Sequence, residues 1–405
     1  MASADKQFSI VVFGASGFTG KYVDKLEKVL QETANELGYD VKDVGVIIAD
    51  VSDGSSLNSM CSSAKMILNC VGPYRFYGEA VVKAAVDNGC HHLDISGEPE
   101  FLEKMQFQYH DQAVREGVQI VGTCGFDSIP ADMGVVFAQE SFPGELCHLE
   151  SFLTIHSGPK GSSGHFGTYQ SIIHGVASAR EGNLKKLRAK LFPKPMPKFG
   201  PKLARRGAIS YSRELQKWCI PFMGADPSVV RRSQRHSVEI RDKKPVQFGA
   251  YVSMPSLIAI LLLYFFGIFF FLLCQFKKGR DLLEKYPKFF SFGLFSHEGP
   301  TKEQMDESSF SFAFHGAGYS QKAVQSGTLP AKPDGQIEIK VTGPEMGYVA
   351  TPICIVQAAL VILEETMPNS GGVLTPAAAF AGTSLIDRLN ENGVKFSVVR
   401  CEVEE

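Results

Sequence analysis

The hydrophobic pattern opens with an unbroken run, Ile10-Val11-Val12-Phe13, that stops at Gly14. A short apolar run bounded by a glycine reads as a buried strand. Beyond Gly20, apolar residues at 22, 23, 26, 29, 30, 34 and 37 recur at helical spacing, and Gly38 closes that helix. Strands follow at 44–50, 66–74, 92–98 and 118–122, separated by helices at 55–64, 79–88 and 100–115. Strands alternating with helices specify an α/β fold with a parallel sheet covered on both faces, of the Rossmann type. Such sheets bind ligands beyond the carboxyl ends of their strands. Those ends carry residues 14–20, Asp50, 69–74, 94–98 and 124–127.

The period changes after residue 149. Residues 150–155 begin a second sheet, and 309–316 and 337–343 alternate apolar and polar as half-buried strands do. A turn-rich connection, 322–335, joins the last two. Residues 157–164 form a glycine-rich loop, read equally as a cover over substrate or as a mobile surface segment. Residues 350–363 are an apolar helix with Pro352 in the first turn. No internal repeat is evident. The division is 1–148 for the dinucleotide-type domain, 149–345 for a second α+β domain for substrate and dimerisation, and 346–405 for helices and a strand returning to the first.

One stretch belongs to neither pattern. Residues 257–274, within an apolar segment 255–276, carry no charge and no polar face. Eighteen residues in a helix reach roughly 27 Å, enough for a bilayer core. Basic residues flank both ends, Arg241, Lys243 and Lys244 before it and Lys277, Lys278 and Arg280 after it. That symmetry gives the positive-inside rule no direction. The strands at 309–315 and 337–342 also need those before residue 253 as partners. Insertion into a monolayer or one leaflet, kinked near Gly267 with both ends on one side, is therefore expected rather than a crossing. The aromatic residues at 289, 290 and 292 continue an apolar surface.

Charge alters this picture locally. The total is near balance, 41 basic against 43 acidic residues, which offers nucleic acid no global attraction. Residues 180–217, however, hold twelve basic residues opposed only by Glu181 and Glu214. No aromatic ladder interleaves them, so an anionic lipid surface is the expected partner rather than nucleic acid. Nine cysteines without a C-x-x-C pair, and an N-terminus without an apolar core, indicate free thiols, no signal peptide and the cytosolic face of a membrane or droplet. His91 and His92 are adjacent, not at i, i+4, so no metal site is expected.

The chemistry concentrates at Gly14-Ala15-Ser16-Gly17-Phe18-Thr19-Gly20. Gly14 permits a tight turn, Gly17 leaves room for a pyrophosphate, and Gly20 lets the next helix approach the strand. Tyr74, Tyr77, Asp94, Glu98 and Asp127 stand at strand ends as groups for acid–base work or structure, Asp94 as a turn cap and Asp127 as a cap of the helix after Pro130. No catalytic residue stands out. One element is missing from the pattern: no strand lies between Gly20 and Val44. Either a long first helix leads to Asp50 as the ribose-binding acid, or a strand-bearing segment is absent.

The motifs at 11–20, 69–78 (Asn69-Cys70-Val71-Gly72-Pro73-Tyr74-Arg75-Phe76-Tyr77-Gly78), 94–98, 125–132 and 347–352 occur together and in order. With them the chain resembles the saccharopine dehydrogenase-like oxidoreductase family over nearly its whole length. The resemblance implies NAD or NADP bound by Gly14–Gly20 and by Asn69, Cys70, Val71, Gly72 and Pro73, and a second α+β domain; the oligomeric state, a homodimer among the options, is left open. It further implies a small apolar or lipid-like substrate at a lipid droplet or membrane surface, with relatives in lipid and glycolipid assembly. Family members carry a second strand ending in Ala-Gly-Arg, and here about two dozen residues are missing at that place, close to one strand and its connections. The loss leaves NAD and NADP both open. The competing functions are a non-catalytic lipid-surface protein with a degenerate Rossmann domain, and a saccharopine reductase, for which no preset arginine pair is readable.

Overall fold

The computed structural model describes residues 6–15 and 44–403. In chain order the strands are β1 (Phe8–Phe13), β2 (Ala64–Asn69), β3 (His91–Asp94), β4 (Gln119–Val121), β5 (Gly144–His156), β6 (Gly164–His165), β7 (Ser210–Ser212), β8 (Lys217–Pro221), β9 (Gln247–Met254), β10 (Phe295–Ser296), β11 (Ser309–Ser320), β12 (Gly335–Pro344), β13 (Gly372–Leu374) and β14 (Lys395–Val403). They form a parallel sheet in the order β1-β2-β3-β4-β13, a seven-stranded sheet in the order β14-β12-β11-β5-β9-β8-β7, and the small pair β10-β6.

The first sheet is the Rossmann-like unit. Its strands are short and apolar because both faces are covered. On one face, Ile67 and Ile120 pack with Leu57, Val81, Val82 and Phe101 of the helices Gly54–Ser63, Tyr74–Asp87 and Pro99–Glu116. On the other, Met66, Leu68, Leu93 and Val121 meet Cys354, Ile355 and Ala358 of the helix Thr351–Glu364. Asp53 caps the first of these helices, accepting from the Ser55 N–H at 2.9 Å. Gly117, in a left-handed conformation, ends the third.

The second sheet grows from β5, whose thirteen residues pair with β11 in antiparallel and β9 in parallel fashion. Phe310, Phe312 and Phe314 alternate inward along β11 and are buried. They face the helix Ile129–Ser141, and Phe126 stands edge-on to Phe310 at 4.8 Å between ring centres. Strands on both sides of residues 257–274 therefore belong to one sheet.

Three expectations are corrected. Residues 44–50 form no strand; Ile47 and Ala49 lie against the first core, but the segment makes no ladder with a described strand. β1, at the end of the sheet order, pairs only with β2 among the described strands, so a strand's composition at 44–50 does not by itself make a ladder. The closing segment splits: β13 joins the first sheet, whereas β14 pairs with β12 in the second. The helix Leu257–Cys274 runs unbroken through Gly267, and the chain reverses after Cys274 into the helix Lys277–Lys285. No proline interrupts its hydrogen-bond ladder, so the bend falls at its end.

The helix Leu257–Cys274 is not a core helix. It docks on the helix Phe166–Ala179 through Phe270, Leu273 and Cys274, with Tyr169 and Phe270 rings 5.8 Å apart, and Ile260 is buried nearer its start. Ile258, Leu261, Phe265, Ile268 and Phe269 are each more than half exposed, and Phe276, Phe289 and Phe292 extend that surface.

Candidate functional site

At the carboxyl end of the first sheet, β1 and β2 run in register to Phe13 and Asn69, and the Cys70 N–H donates to the Phe13 carbonyl at 2.9 Å. The next residue, Gly14, has φ +95°, and a Cβ there would lie 2.8 Å from Val71 Cγ2. Only glycine makes that turn against that neighbour. Gly14 and Ala15 are thus brought beside Cys70 and Val71. Ser16, Gly17, Phe18, Thr19 and Gly20 lie outside the described residues.

Asn69 is buried and turns the chain: its Oδ1 accepts from the Val71 N–H at 3.1 Å, and its carbonyl accepts from the Tyr74 hydroxyl at 2.8 Å. Its Nδ2 stands 3.3 Å from Nε2 of His92, which burial holds down to about 3 and hence neutral. Cys70 and Gly72 open to solvent, and Pro73 is buried ahead of the helix Tyr74–Asp87.

Glu98 serves that helix start. Its carboxylate accepts from the Tyr74 and Arg75 N–H groups and from Arg75 Nε at 2.7 Å. Ser171 adds a fourth donor at 3.0 Å, and Arg75 Nη1 donates to the His174 carbonyl at 2.8 Å and to Ser178 Oγ at 2.9 Å. A carboxylate with four donors is a structural anchor rather than a free base. It ties the sheet's carboxyl end to the helix Phe166–Ala179.

Asp94 is a turn cap, as expected: Oδ1 accepts from the Ser96 and Thr123 N–H groups at 2.9 and 3.1 Å. Burial nevertheless lifts its carboxyl to about 7. Asp127 does not cap the following helix, whose first cap position is Ser128. Its carboxylate instead lies against Gly97, where a Cβ would come within 3.0 Å of Oδ2, and burial lifts it to about 6. The loop that carries it is held by the late motif, since Thr351 Oγ1 accepts from the Phe126 N–H at 3.0 Å. Asp132 and Asp226 complete a group of buried acids, both raised by loss of solvent. Sequence reasoning missed these two, which are signalled only by acids inside apolar or helical stretches.

Asp50 does not stand at a strand end. Its Oδ1 accepts from the Ser52 N–H at 2.8 Å and from the Ser52 hydroxyl at 2.7 Å, closing a turn ahead of the first described helix. In the basic segment, Arg188 is bidentate to Glu103 and Arg206 is bidentate to Glu150. Those two charges belong to the protein's own packing, while Lys185 and Lys186 face solvent. All nine cysteines are free.

A parallel sheet with a left-handed glycine turn at the end of its first strand, set beside the end of the second, defines a nicotinamide-dinucleotide oxidoreductase unit. Residues 20–121 match the saccharopine dehydrogenase NADP binding domain. The chain is 48% identical to the human saccharopine dehydrogenase-like oxidoreductase, with 98% of this chain and 99% of that protein covered. It is 38% identical to the lipid droplet localized protein of Caenorhabditis elegans over 97% of this chain and 98% of that one. Similarity extends at 27% identity to the trans-acting enoyl reductase of Mycobacterium bovis, covering 99% and 100%. The chain belongs to the saccharopine dehydrogenase-like oxidoreductase family, and its cofactor is a nicotinamide dinucleotide. The human match is 429 positions long, while 98% of these 405 residues is about 397, so about 32 matched positions have no residue here. That accords with the absent segment read from the motif order.

The described residues fit the cofactor. Gly14 and Ala15 offer backbone without a large side chain, and Cys70–Gly72 form an open rim beside them.

Proposed function

We propose that this chain transfers a hydride between a nicotinamide dinucleotide and an apolar, lipid-like substrate at the surface of a lipid droplet or membrane. One observation carries the reading. The helix Phe166–Ala179 receives Arg75 and Glu98 from the carboxyl end of the sheet, and the same helix supports the exposed apolar helix Leu257–Cys274. Dinucleotide end and apolar surface are therefore two sides of one support. The cofactor supplies or accepts the hydride when bound. Gly14, Ala15 and the Cys70–Gly72 backbone would hold it, with Asn69 fixing that rim, while Asp94 and Asp127, raised by burial, are the acids placed to hold or give a proton near neutral pH.

The lipid side rests on geometry. Because β9 and β11 share one sheet, residues 257–274 enter a monolayer from one side and return to it. Exposed Lys185 and Lys186 add attraction to anionic lipid. The name of the nematode relative supports a droplet, and that of the mycobacterial relative supports reduction of an unsaturated acyl chain.

The test is nucleotide titration followed by turnover. The parent chain should bind NADPH or NADH, and Gly14→Val should lose that binding, since the turn cannot form beside Val71. Turnover should then need an acyl substrate presented in vesicles or droplets. A parent chain that binds neither nucleotide would leave the non-catalytic lipid-surface reading in its place. Binding followed by turnover of saccharopine alone would replace the lipid substrate.

A further inference from the structure

A cavity of about 260 Å³ lies between the helices Pro99–Glu116, Asn183–Leu191 and Asp226–Arg241. Its walls are Glu103, Arg188, Ala189 and Phe192, with Ser228, Arg231, Arg232 and Arg235 of the last helix. None of Gly14, Ala15 or 69–73 lines it. Four arginines against one carboxylate leave a strong positive excess.

The pairing within the cavity is incomplete. Arg188 uses Nε and Nη2 on Glu103, and Nη2 also reaches Ser228 Oγ at 2.9 Å. Arg235 is spent on Glu239 at 2.8 Å and on the Lys194 carbonyl at 2.9 Å. Arg232 is 7% exposed, yet its sole hydrogen bond among the described residues runs from Nε to Gln106 Oε1 at 2.8 Å. Both its Nη groups are left without an acceptor, and no carboxylate lies in ion-pair range of Arg231 or Arg232 among the described residues. Burial holds the Arg232 guanidinium down to about 10. Glu103, Asp132 and Asp94 act on it from a distance, but none pairs with it directly, and a buried guanidinium with open N–H groups is a place an anion can complete.

We propose that this cavity binds a phosphate monoester. Three guanidiniums with free N–H groups, Arg188, Arg231 and Arg232, suit a tetrahedral dianion that accepts on several faces; a carboxylate has two oxygens to offer. Phe192 and Ala189 give the ester's carbon part an apolar wall. The volume suits a phosphorylated small group and excludes a dinucleotide. This assignment does not depend on cofactor binding or on the oxidoreductase reading.

Full-length protein is titrated by calorimetry with inorganic phosphate, glycerol 3-phosphate and glutamate, and sedimented with phosphatidylcholine vesicles with and without phosphatidate. Glycerol 3-phosphate should bind, and Arg231→Ala with Arg232→Gln should weaken it by at least about tenfold, the scale of lost charged hydrogen bonds. Should that pair fail to fold, Arg231→Ala alone, at an exposed position, should still weaken it several-fold. Lys185→Ala with Lys186→Ala should leave soluble-ester binding unchanged. Phosphatidate-dependent sedimentation lost in the arginine variants identifies a lipid headgroup; ester binding without it identifies a soluble phosphate ester, and either supports the site. Absence of ester binding, tighter binding of glutamate, or binding indifferent to Arg231→Ala would each overturn it.

Discussion

Two apolar helices of similar length behave in opposite ways. Both Leu257–Cys274 and the stretch Met346–Glu364 are long and apolar enough to cross a membrane, but 39% of the latter is buried against 11% of the former. The difference lies in residue size and placement. The later helix offers Cys354, Ala358 and Ala359 to the first sheet, and small residues allow a helix to lie close to strands. The earlier helix offers leucine and phenylalanine in every direction, more apolar surface than one neighbour can cover. Length and hydropathy thus identify apolar helices, and the distribution of small residues separates the buried one from the one left outside.

The comparison breaks most sharply with a charge. Ala359→Asp places a carboxylate in a fully buried position and should cost about 4 kcal/mol or more, enough to unfold the chain in a thermal melt. A melt like that of the parent would show that this helix is not core.

Next in size is a charge already inside. Burial raises the Asp132 carboxyl from 3.8 to about 6 while Oδ2 accepts from Ser233 Oγ and the Ala377 N–H. The folded chain therefore holds this proton more tightly than the unfolded one, and its contribution to stability is lost as pH rises from about 4 through 6. Asp132→Asn cannot ionise, so relative to the parent it should gain on the order of 3 kcal/mol between pH 4 and pH 7. Parallel curves of Tm against pH for the two proteins would refute the ionisation.

Smaller effects sharpen the comparison within the outer helix. Ile260→Ala removes its fully buried contact and should cost about 2–3 kcal/mol in denaturant melts. Ile268→Asp, 60% exposed, should leave Tm within about a degree. It should nevertheless abolish insertion into a phospholipid monolayer, read as surface pressure. Equal losses of stability at the two positions would mean that the helix faces are wrongly assigned.

Local pattern carried much of this fold. The glycine turn, the strand–helix alternation and the alternating β11 and β12 were legible because each depends on neighbours within a few residues. What escaped depends on distance. Residues 44–50 have a strand's composition but make no ladder with a described strand. The final strand β14 was expected to return to the first domain, and nothing in its own sequence says that it joins β12 in the second sheet. The basic segment reads as one charge run, yet Arg188 pairs with Glu103, 85 residues earlier, and Arg206 with Glu150, 56 residues earlier. The arginine-lined cavity draws from helices separated in the chain, so no window of sequence contains it. Asp94, by contrast, was readable as a turn cap because Ser96, one of its partners, is two residues away.

The seven-stranded sheet also sets an order of events during synthesis. β5, β7, β8 and β9 are made before Leu257, but β11, the strand that closes over β5, is complete only at Ser320, 46 residues past Cys274. The apolar helix is therefore displayed while its own domain is half built. A chain recruited to a bilayer at that moment would hold β5 open on its β11 side, with unpaired backbone groups exposed. The final architecture therefore requires β11 to pair with β5 before that edge finds another partner.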